Sequence, residues 1–255
     1  MKWNADQYGK FERERTLPAR DLADAIDIVN PEKIIDIGCG IGNSTEFLKM
    51  KFPNADIVGA DLSEEMLESA RKNHPDLKFI KLDASCDLQK LDCKYDIVFS
   101  NACIQWIPDH RQLLKNMLGL LNKGGVLAVQ TPLQSKHPMH RIIKDIAKSE
   151  KWSEKLSSER EFHNLTEEEY FDILSELSSD FRIWETVYYH RMPSHQSIIE
   201  WYKGTGLRPY LNQLSDRDAR NFEGDVLKEA EKDYSIQNSG DIIFRFPRLF
   251  FTAEK

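Results

Sequence analysis

The chain has 255 residues, 40% of them apolar, and a net charge of −7, enough for one large core or a core with a helical cap. That charge argues against DNA, RNA or an anionic membrane as the main partner and points to a small molecule, with no nucleic acid and no membrane expected. Cys39, Cys86, Cys93 and Cys103 form neither a C-x-x-C pair nor a zinc spacing, the first residues lack an apolar signal core, and no stretch nears the roughly 20 apolar residues that span a bilayer. Reduced thiols, no metal site and a cytoplasmic location are therefore expected, for a monomer or homodimer.

Between Pro31 and Gln130 short apolar runs alternate with helical patterns, as in a parallel sheet wrapped by helices. The predicted strands are 33–37, 56–60, 77–82, 95–100 and 126–130. Ser63 caps a helix bearing Met66, Leu67 and Ala70; Asp109 caps one bearing Leu113, Leu114, Met117, Leu118 and Leu121, which the Gly124-Gly125 pair then ends. Right-handed crossovers wind such strands into a doubly wound sheet whose ligands bind beyond the strands' C-terminal ends. After Pro132 the pattern turns charged and helical, with Met139, Ile142, Ile143, Ile146 and Ala147 on one face, as in an inserted lid. Thr166 and Glu169 form a capping box ahead of Tyr170, Ile173, Leu174 and Leu177. A strand follows at 181–190. Ser215 with Asp218 opens a further helix bearing Phe222, Val226 and Ala230, and 244–252 reads as the last strand. The divisions are an N-terminal helical segment (1–30), a Rossmann-like core (31–132), and a helical cap with the last two strands (133–255).

The loop Asp36-Ile37-Gly38-Cys39-Gly40-Ile41-Gly42-Asn43-Ser44 leaves a strand and enters a helix, so its glycines permit a tight turn and close approach of a ligand to the backbone. Its spacing is G-x-G-x-G, whereas the dinucleotide fingerprint is G-x-G-x-x-G and position 43 is Asn; this favours S-adenosylmethionine over NAD. The donor's carboxylate can use N–H groups at the helix start. Asp36 either contacts the donor or ties down the turn. Asp61, ending the second strand with Leu62 beside it, is placed to accept from both ribose hydroxyls. Asp83 is placed for the adenine amino group, with Ala84 at the ring edge. Ser100 and Asn101 end the fourth strand beneath the reaction centre, where a turn-forming Asn is the equal alternative.

Taken together, Asp36 through Thr45, Asp61 and the block Asn101-Ala102-Cys103-Ile104-Gln105-Trp106-Ile107-Pro108-Asp109-His110 resemble the class I methyltransferases, and the last block resembles the trans-aconitate methyltransferase family in particular. The likeness extends to Trp3-Asn4, Tyr8, Tyr170-Phe171-Asp172, Tyr188-Tyr189-His190-Arg191-Met192-Pro193-Ser194-His195, Thr205-Gly206-Leu207-Arg208-Pro209-Tyr210 and Phe246-Pro247-Arg248-Leu249-Phe250, nearly the whole chain. It implies a seven-stranded, mostly parallel sheet with an antiparallel final hairpin, S-adenosylmethionine as donor with S-adenosylhomocysteine as product, and monomethyl esterification of trans-aconitate or a related small carboxylic acid. Arg191, where a neutral glutamine is expected, and the poorly matching stretch 136–160 depart from the pattern.

Transfer from a sulfonium to a carboxylate needs alignment rather than a general base, so no catalytic acid or base is assigned. A polyanionic substrate inside a negatively charged protein needs local cations, and arginine forks suit carboxylates. Arg208, Arg191, Arg13 and Arg15 are candidates; Arg208, flanked by Gly206 and Pro209 as in a loop, ranks first, with a surface arginine covering apolar area as the competing explanation, and a solvated helical face is the stronger reading for Arg13 and Arg15. His190 and His195 are candidate carboxylate donors, with packing or capping the commoner role. Trp3 and Tyr8 are expected to fold over the cofactor, and Gln105 and Trp106 to line its adenine or methyl end.

Overall fold

Lys33–Ile37 forms β1, and every residue after Lys33 is buried, as required of a central strand covered on both faces. In the computed structural model, which describes residues 12–156 and 162–255, β1 pairs in parallel with β2 (Asp56–Asp61) on one side and with a strand at Tyr95–Asn101 on the other. With β3 (Lys78–Lys81), that strand is β4, followed by β5 (Leu121–Pro132), β6 (Phe181–Met192) and β7 (Ile242–Glu254). The seven strands run β3-β2-β1-β4-β5-β7-β6. β7 is antiparallel to both neighbours, so the doubly wound, mostly parallel sheet with an antiparallel final strand is the observed architecture.

Helices cover both faces. Alternate residues of the strands, among them Ile34, Ile57, Ile97, Phe99, Ala128 and Phe250, pack against Ala19, Leu22 and Ala23 of α1 (Glu12–Asp24) and Leu48 of α2 (Asn43–Lys51). The opposite parity, Ile35, Val98, Leu127, Val129 and Phe251, packs against α4 (His110–Gly119) and α7 (Glu167–Leu177). Between these lie α3 (Glu64–Asn73), α5 (Pro138–Ala147) and α6 (Glu150–Ser153). The predicted caps form: the Ser63 hydroxyl accepts from the Met66 N–H, and Thr166 and Glu169 exchange both bonds of the box. Each such cap is worth about 1 kcal/mol.

Two readings change. The Gly124-Gly125 pair does not end α4, which stops at Gly119; Leu121 already opens β5 opposite Tyr95. Gly124 has φ +77, and a Cβ on Gly125 would lie 3.0 Å from the carbonyls of Asn122 and Asp96. The glycines thus serve a bulge, where the β4–β5 register shifts. The second change concerns Arg208, which opens a one-turn helix, α9 (Arg208–Leu211), rather than a loop.

The cap is a second hydrophobic cluster. Met139, Ile142 and Ile143 of α5, Trp152 of α6, Ile198, Ile199, Trp201 and Tyr202 of α8 (His195–Lys203), and Phe222 and Val226 of α10 (Asp216–Asp233) surround Phe244 and Phe246 of β7. β7 therefore runs from the cap into the main core. Among the described residues no helix is long and apolar enough to cross a membrane.

Candidate active site

At the C-terminal end of β1 the backbone turns through three left-handed glycines, Gly38 (φ +78), Gly40 (+55) and Gly42 (+94). Each has a different reason to lack a side chain. A Cβ on Gly38 would lie 2.3 Å from Cys103 Cβ, and one on Gly42 would lie 2.7 Å from the His74 ring and 2.9 Å from Phe79. A Cβ on Gly40 would meet nothing within 4 Å among the described residues, so none of them packs on its bare face. Asp36, fully buried beneath the turn, accepts from the Ser44 and Thr45 hydroxyls at 2.6 and 2.7 Å. It anchors the first turn of α2 to β1. Burial pushes its carboxyl up to about 6, against the partial relief of the two hydroxyls and with repulsion from Asp61 adding to the rise. Its Oδ1 is buried without a hydrogen-bond partner.

Asp61 clamps this loop from the next strand. Its Oδ2 accepts the Gly40 N–H at 2.9 Å, and its Oδ1 accepts the Ser63 N–H at 2.8 Å. Each carboxylate oxygen retains a second lone pair. Leu62 beside it is 58% exposed, an apolar side chain left at the rim. Asp83 uses Oδ1 on the backbone and hydroxyl of Ser85, fixing the turn that carries buried Ala84.

The end of β4 forms the other wall. Ser100 is buried and donates to the Ile37 carbonyl at 2.9 Å, so it fastens β4 to the glycine turn rather than reaching into the space above it. Asn101 leaves Oδ1 buried and unpaired. Ala102 takes φ +54, a conformation costing a non-glycine residue about 1 kcal/mol or more, of the kind that gathers at functional sites. Gln105 is buried as well: its amide donates to the Ala102 carbonyl at 2.6 Å, its oxygen accepts from Thr131, and its backbone carbonyl accepts the His163 N–H. It holds this wall together from behind. Trp106 packs against the Phe162 ring, tilted by 39° with centroids 4.7 Å apart. His110 bridges Tyr170 and the Ile104 carbonyl, and burial keeps its pKa below the usual range.

A glycine turn, a clamping aspartate on the adjacent strand and buried polar atoms at the strand ends lie together at the position where α/β sheets bind ligands. A family profile described as a methyltransferase domain matches residues 34–125. Trans-aconitate 2-methyltransferase of Rhodopseudomonas palustris strain BisB5 is 40% identical over 99% of both chains, and that of Escherichia coli O7:K1 is 38% identical over 99% of this chain and 98% of the relative. The chain belongs to the trans-aconitate 2-methyltransferase family. Among solved structures, the YcgJ protein of Bacillus subtilis superposes with TM-score 0.61 at 15% identity, covering 93% of this chain and 98% of its own. Haemonchus contortus phosphoethanolamine N-methyltransferase 2 bound to S-adenosyl-L-methionine reaches 0.56 at 18%, covering 93% and 52%.

In this trans-aconitate 2-methyltransferase homologue the polar residues of the second half divide. Arg191 has a side chain 80% exposed and pairs with Asp241; it faces solvent, because strand alternation puts it on the opposite side from buried His190 and Met192. His195 Nε2 lies 2.6 Å from the Tyr234 carbonyl, a tie between α8 and the end of α10. His190 is buried, stacks on Trp201 at 5.1 Å, and is driven down to about 4 by burial and by Arg248, so it is neutral at pH 7. Arg208 is half-buried on α9. Trp3 and Tyr8 lie outside the described residues.

The residue that sequence reasoning passed over is Arg248, 6% exposed. Ranking arginines by neighbouring glycine and proline hid it. The available signal was strand parity: Phe244, Phe246, Arg248 and Phe250 alternate along one strand, which puts a guanidinium on an inward face.

Proposed function

We propose that the chain transfers the methyl group of S-adenosylmethionine to one carboxylate of trans-aconitate or a related small polycarboxylate, forming a monomethyl ester and S-adenosylhomocysteine. The observation that carries the reading is the open face of Gly40 beside the Asp61 clamp, within a chain about 40% identical end to end to the named methyltransferase. The donor supplies a methyl group on a positively charged sulfur. Gly38, Gly40 and Gly42 let it approach the backbone. Asp61 keeps lone pairs for the ribose hydroxyls while bonding Gly40 and Ser63. Asp83 and Ala84 serve the adenine edge, with Leu62 against the ring.

Asn101 and buried Asp36 each retain an oxygen without a partner near the loop, suited to an amino group, whereas a pyrophosphate would meet only repulsion from them. Ser100 and Gln105 act as positioning residues, holding the end of β4 and the loop carrying Trp106 in place. No side chain needs to take a proton, because a carboxylic acid of pKa about 4 is already ionised at pH 7. The protein's contribution is to align the carboxylate oxygen with the methyl carbon and keep water away, an effect of effective molarity about 10⁵–10⁸ M. Arg208 and the neutral His190 are offered as acid contacts; Arg191 and His195 are set aside because their groups are committed elsewhere.

The test is transfer of labelled methyl from S-adenosylmethionine to trans-aconitate, cis-aconitate, citrate and isopropylmalate. A base-labile ester on one of these acids is expected, with trans-aconitate preferred. Labelling of an amine instead, or donor binding without transfer to any acid, defeats the reading.

A further inference from the structure

We propose that Arg248, with Gln130 and His137 beside it, seats a substrate carboxylate that is not methylated, and so selects polycarboxylic over monocarboxylic acids. The inference rests on the acid-methylating function above and names the residues that read its substrate.

The placement follows from register. Pro132 of β5 lies opposite Arg248 of β7, Gln130 lies opposite Phe250, and Asn101 of β4 lies opposite Gln130. Residues in register share a face, so Asn101, Gln130 and Arg248 lie on the same face at the C-terminal ends of the parallel strands. β7 is two strands from β4, about 10 Å away, a separation that a short polycarboxylate held beside the end of β4 bridges. Arg248 also stands at the seam of the molecule, between Phe246 of the cap cluster and Phe250 of the main core.

The chemistry around Arg248 is that of an anion site. Its guanidinium lies 4.4 Å from the centroid of the Phe246 ring, and its Nη1 donates to Gln130 Oε1 at 3.4 Å. That bond fixes the Gln130 amide with its NH₂ turned away from the arginine, and Nε2 is buried without an acceptor. His137 is 3% exposed, and burial together with the nearby positive charge of Arg248 holds its pKa well below the usual range, so the ring is neutral. Its Nδ1 accepts the Met139 N–H at 3.3 Å and lies 3.0 Å from the Tyr202 hydroxyl. A backbone N–H can only donate, so the ring proton belongs on Nε2, which is buried and faces the Arg245 backbone.

A guanidinium, a buried amide donor without an acceptor on Gln130 and the His137 ring N–H thus lie in one neighbourhood, and His137 and His190 are neutral. Gln134, on the same turn as His137, has its Oε1 buried without a partner; turning the amide over adds a third donor. Buried donors lacking acceptors are costly, and a hydrophobic residue would pack this seam at least as well as a buried charge. A carboxylate accepts from the Gln130 amide and matches the fork geometry that arginine provides.

The decisive variant is Arg248→Met, which keeps an unbranched stem against Phe246. Expected are a retained fold, a KM for S-adenosylmethionine within about twofold of the parent, and a KM for the tricarboxylic acid raised by about 10–100-fold. The preference for tricarboxylic over monocarboxylic acids in kcat/KM should collapse with it. Arg248→Lys, with charge but no fork, should fall between. Gln130→Leu, the control should Arg248→Met fail to fold, should raise the acid KM about tenfold with the donor KM within about twofold of the parent.

Calorimetry of trans-aconitate binding to the protein loaded with S-adenosylhomocysteine gives a readout independent of turnover. Loss of acid binding in Arg248→Met supports the assignment; unchanged acid affinity, or a parallel loss of donor affinity, overturns it. If the parent binds the acid yet methylates another acceptor, the proposed function fails while the calorimetric comparison still decides the role of Arg248.

Discussion

Gly38 and Gly40 share a left-handed backbone but should fail differently when each is changed to alanine. At Gly40 the new Cβ meets nothing within 4 Å among the described residues, so the cost to the fold is the left-handed penalty alone, about 1–2 kcal/mol. For a chain of this size that lowers Tm by about 2–8 °C. At Gly38 the same penalty is joined by a contact of 2.3 Å with Cys103 Cβ, an atom fixed to the backbone that no rotamer change removes. Overpacking of this kind adds about 1–3 kcal/mol, so Gly38→Ala should lose roughly twice as much stability, and Cys103→Gly should partly restore it where Cys103→Ala does not.

Binding reverses the ranking. A methyl group on the open face of Gly40 occupies the space assigned to the donor, so Gly40→Ala should weaken S-adenosylhomocysteine binding at least about tenfold, or 1.4 kcal/mol. Melting curves with and without S-adenosylhomocysteine, backed by calorimetry, separate the two effects. A Gly40→Ala protein that binds the ligand within twofold of the parent would refute the argument that this face carries the donor.

Four further outcomes are expected. Asp36, raised by burial from 3.8 to about 6, contributes most stability below pH 4 and loses about 3 kcal/mol as pH rises through 6. Asp36→Asn should flatten that part of the Tm profile, and parallel profiles would count against the shift. Asp61→Ala, losing the Gly40 clamp and the ribose acceptors together, should raise the donor KM at least about tenfold with the acid KM nearly unchanged in steady-state assays. Arg191→Ala should leave the acid KM unchanged and move stability by no more than about 0.5 kcal/mol in urea titrations, since its ion pair with Asp241 is exposed. Arg208→Ala should raise the acid KM more than the donor KM; equal changes would remove Arg208 from the site.

The parallel core, the glycine turn and the helix caps were legible from the residues alone, because these are local. A continuous apolar run, a G-x-G-x-G turn, an aspartate at a strand end and a Thr166–Glu169 box each act within a few residues, where propensity and backbone sterics decide. The sequence did not reveal that Gly124-Gly125 serves a bulge, which depends on how β4 and β5 meet across the sheet. It also could not say which polar side chains converge. His190 and Arg191 are adjacent in sequence, yet one is buried against Trp201 and the other faces solvent, because strand geometry turns neighbours to opposite sides. Arg248, Gln130 and His137 come from different elements, and only the pairing of β5 with β7 and the packing of the cap bring them together. Local chemistry wrote the frame of the site, and the selection among its charges was left to contacts that exist only once the strands are in register.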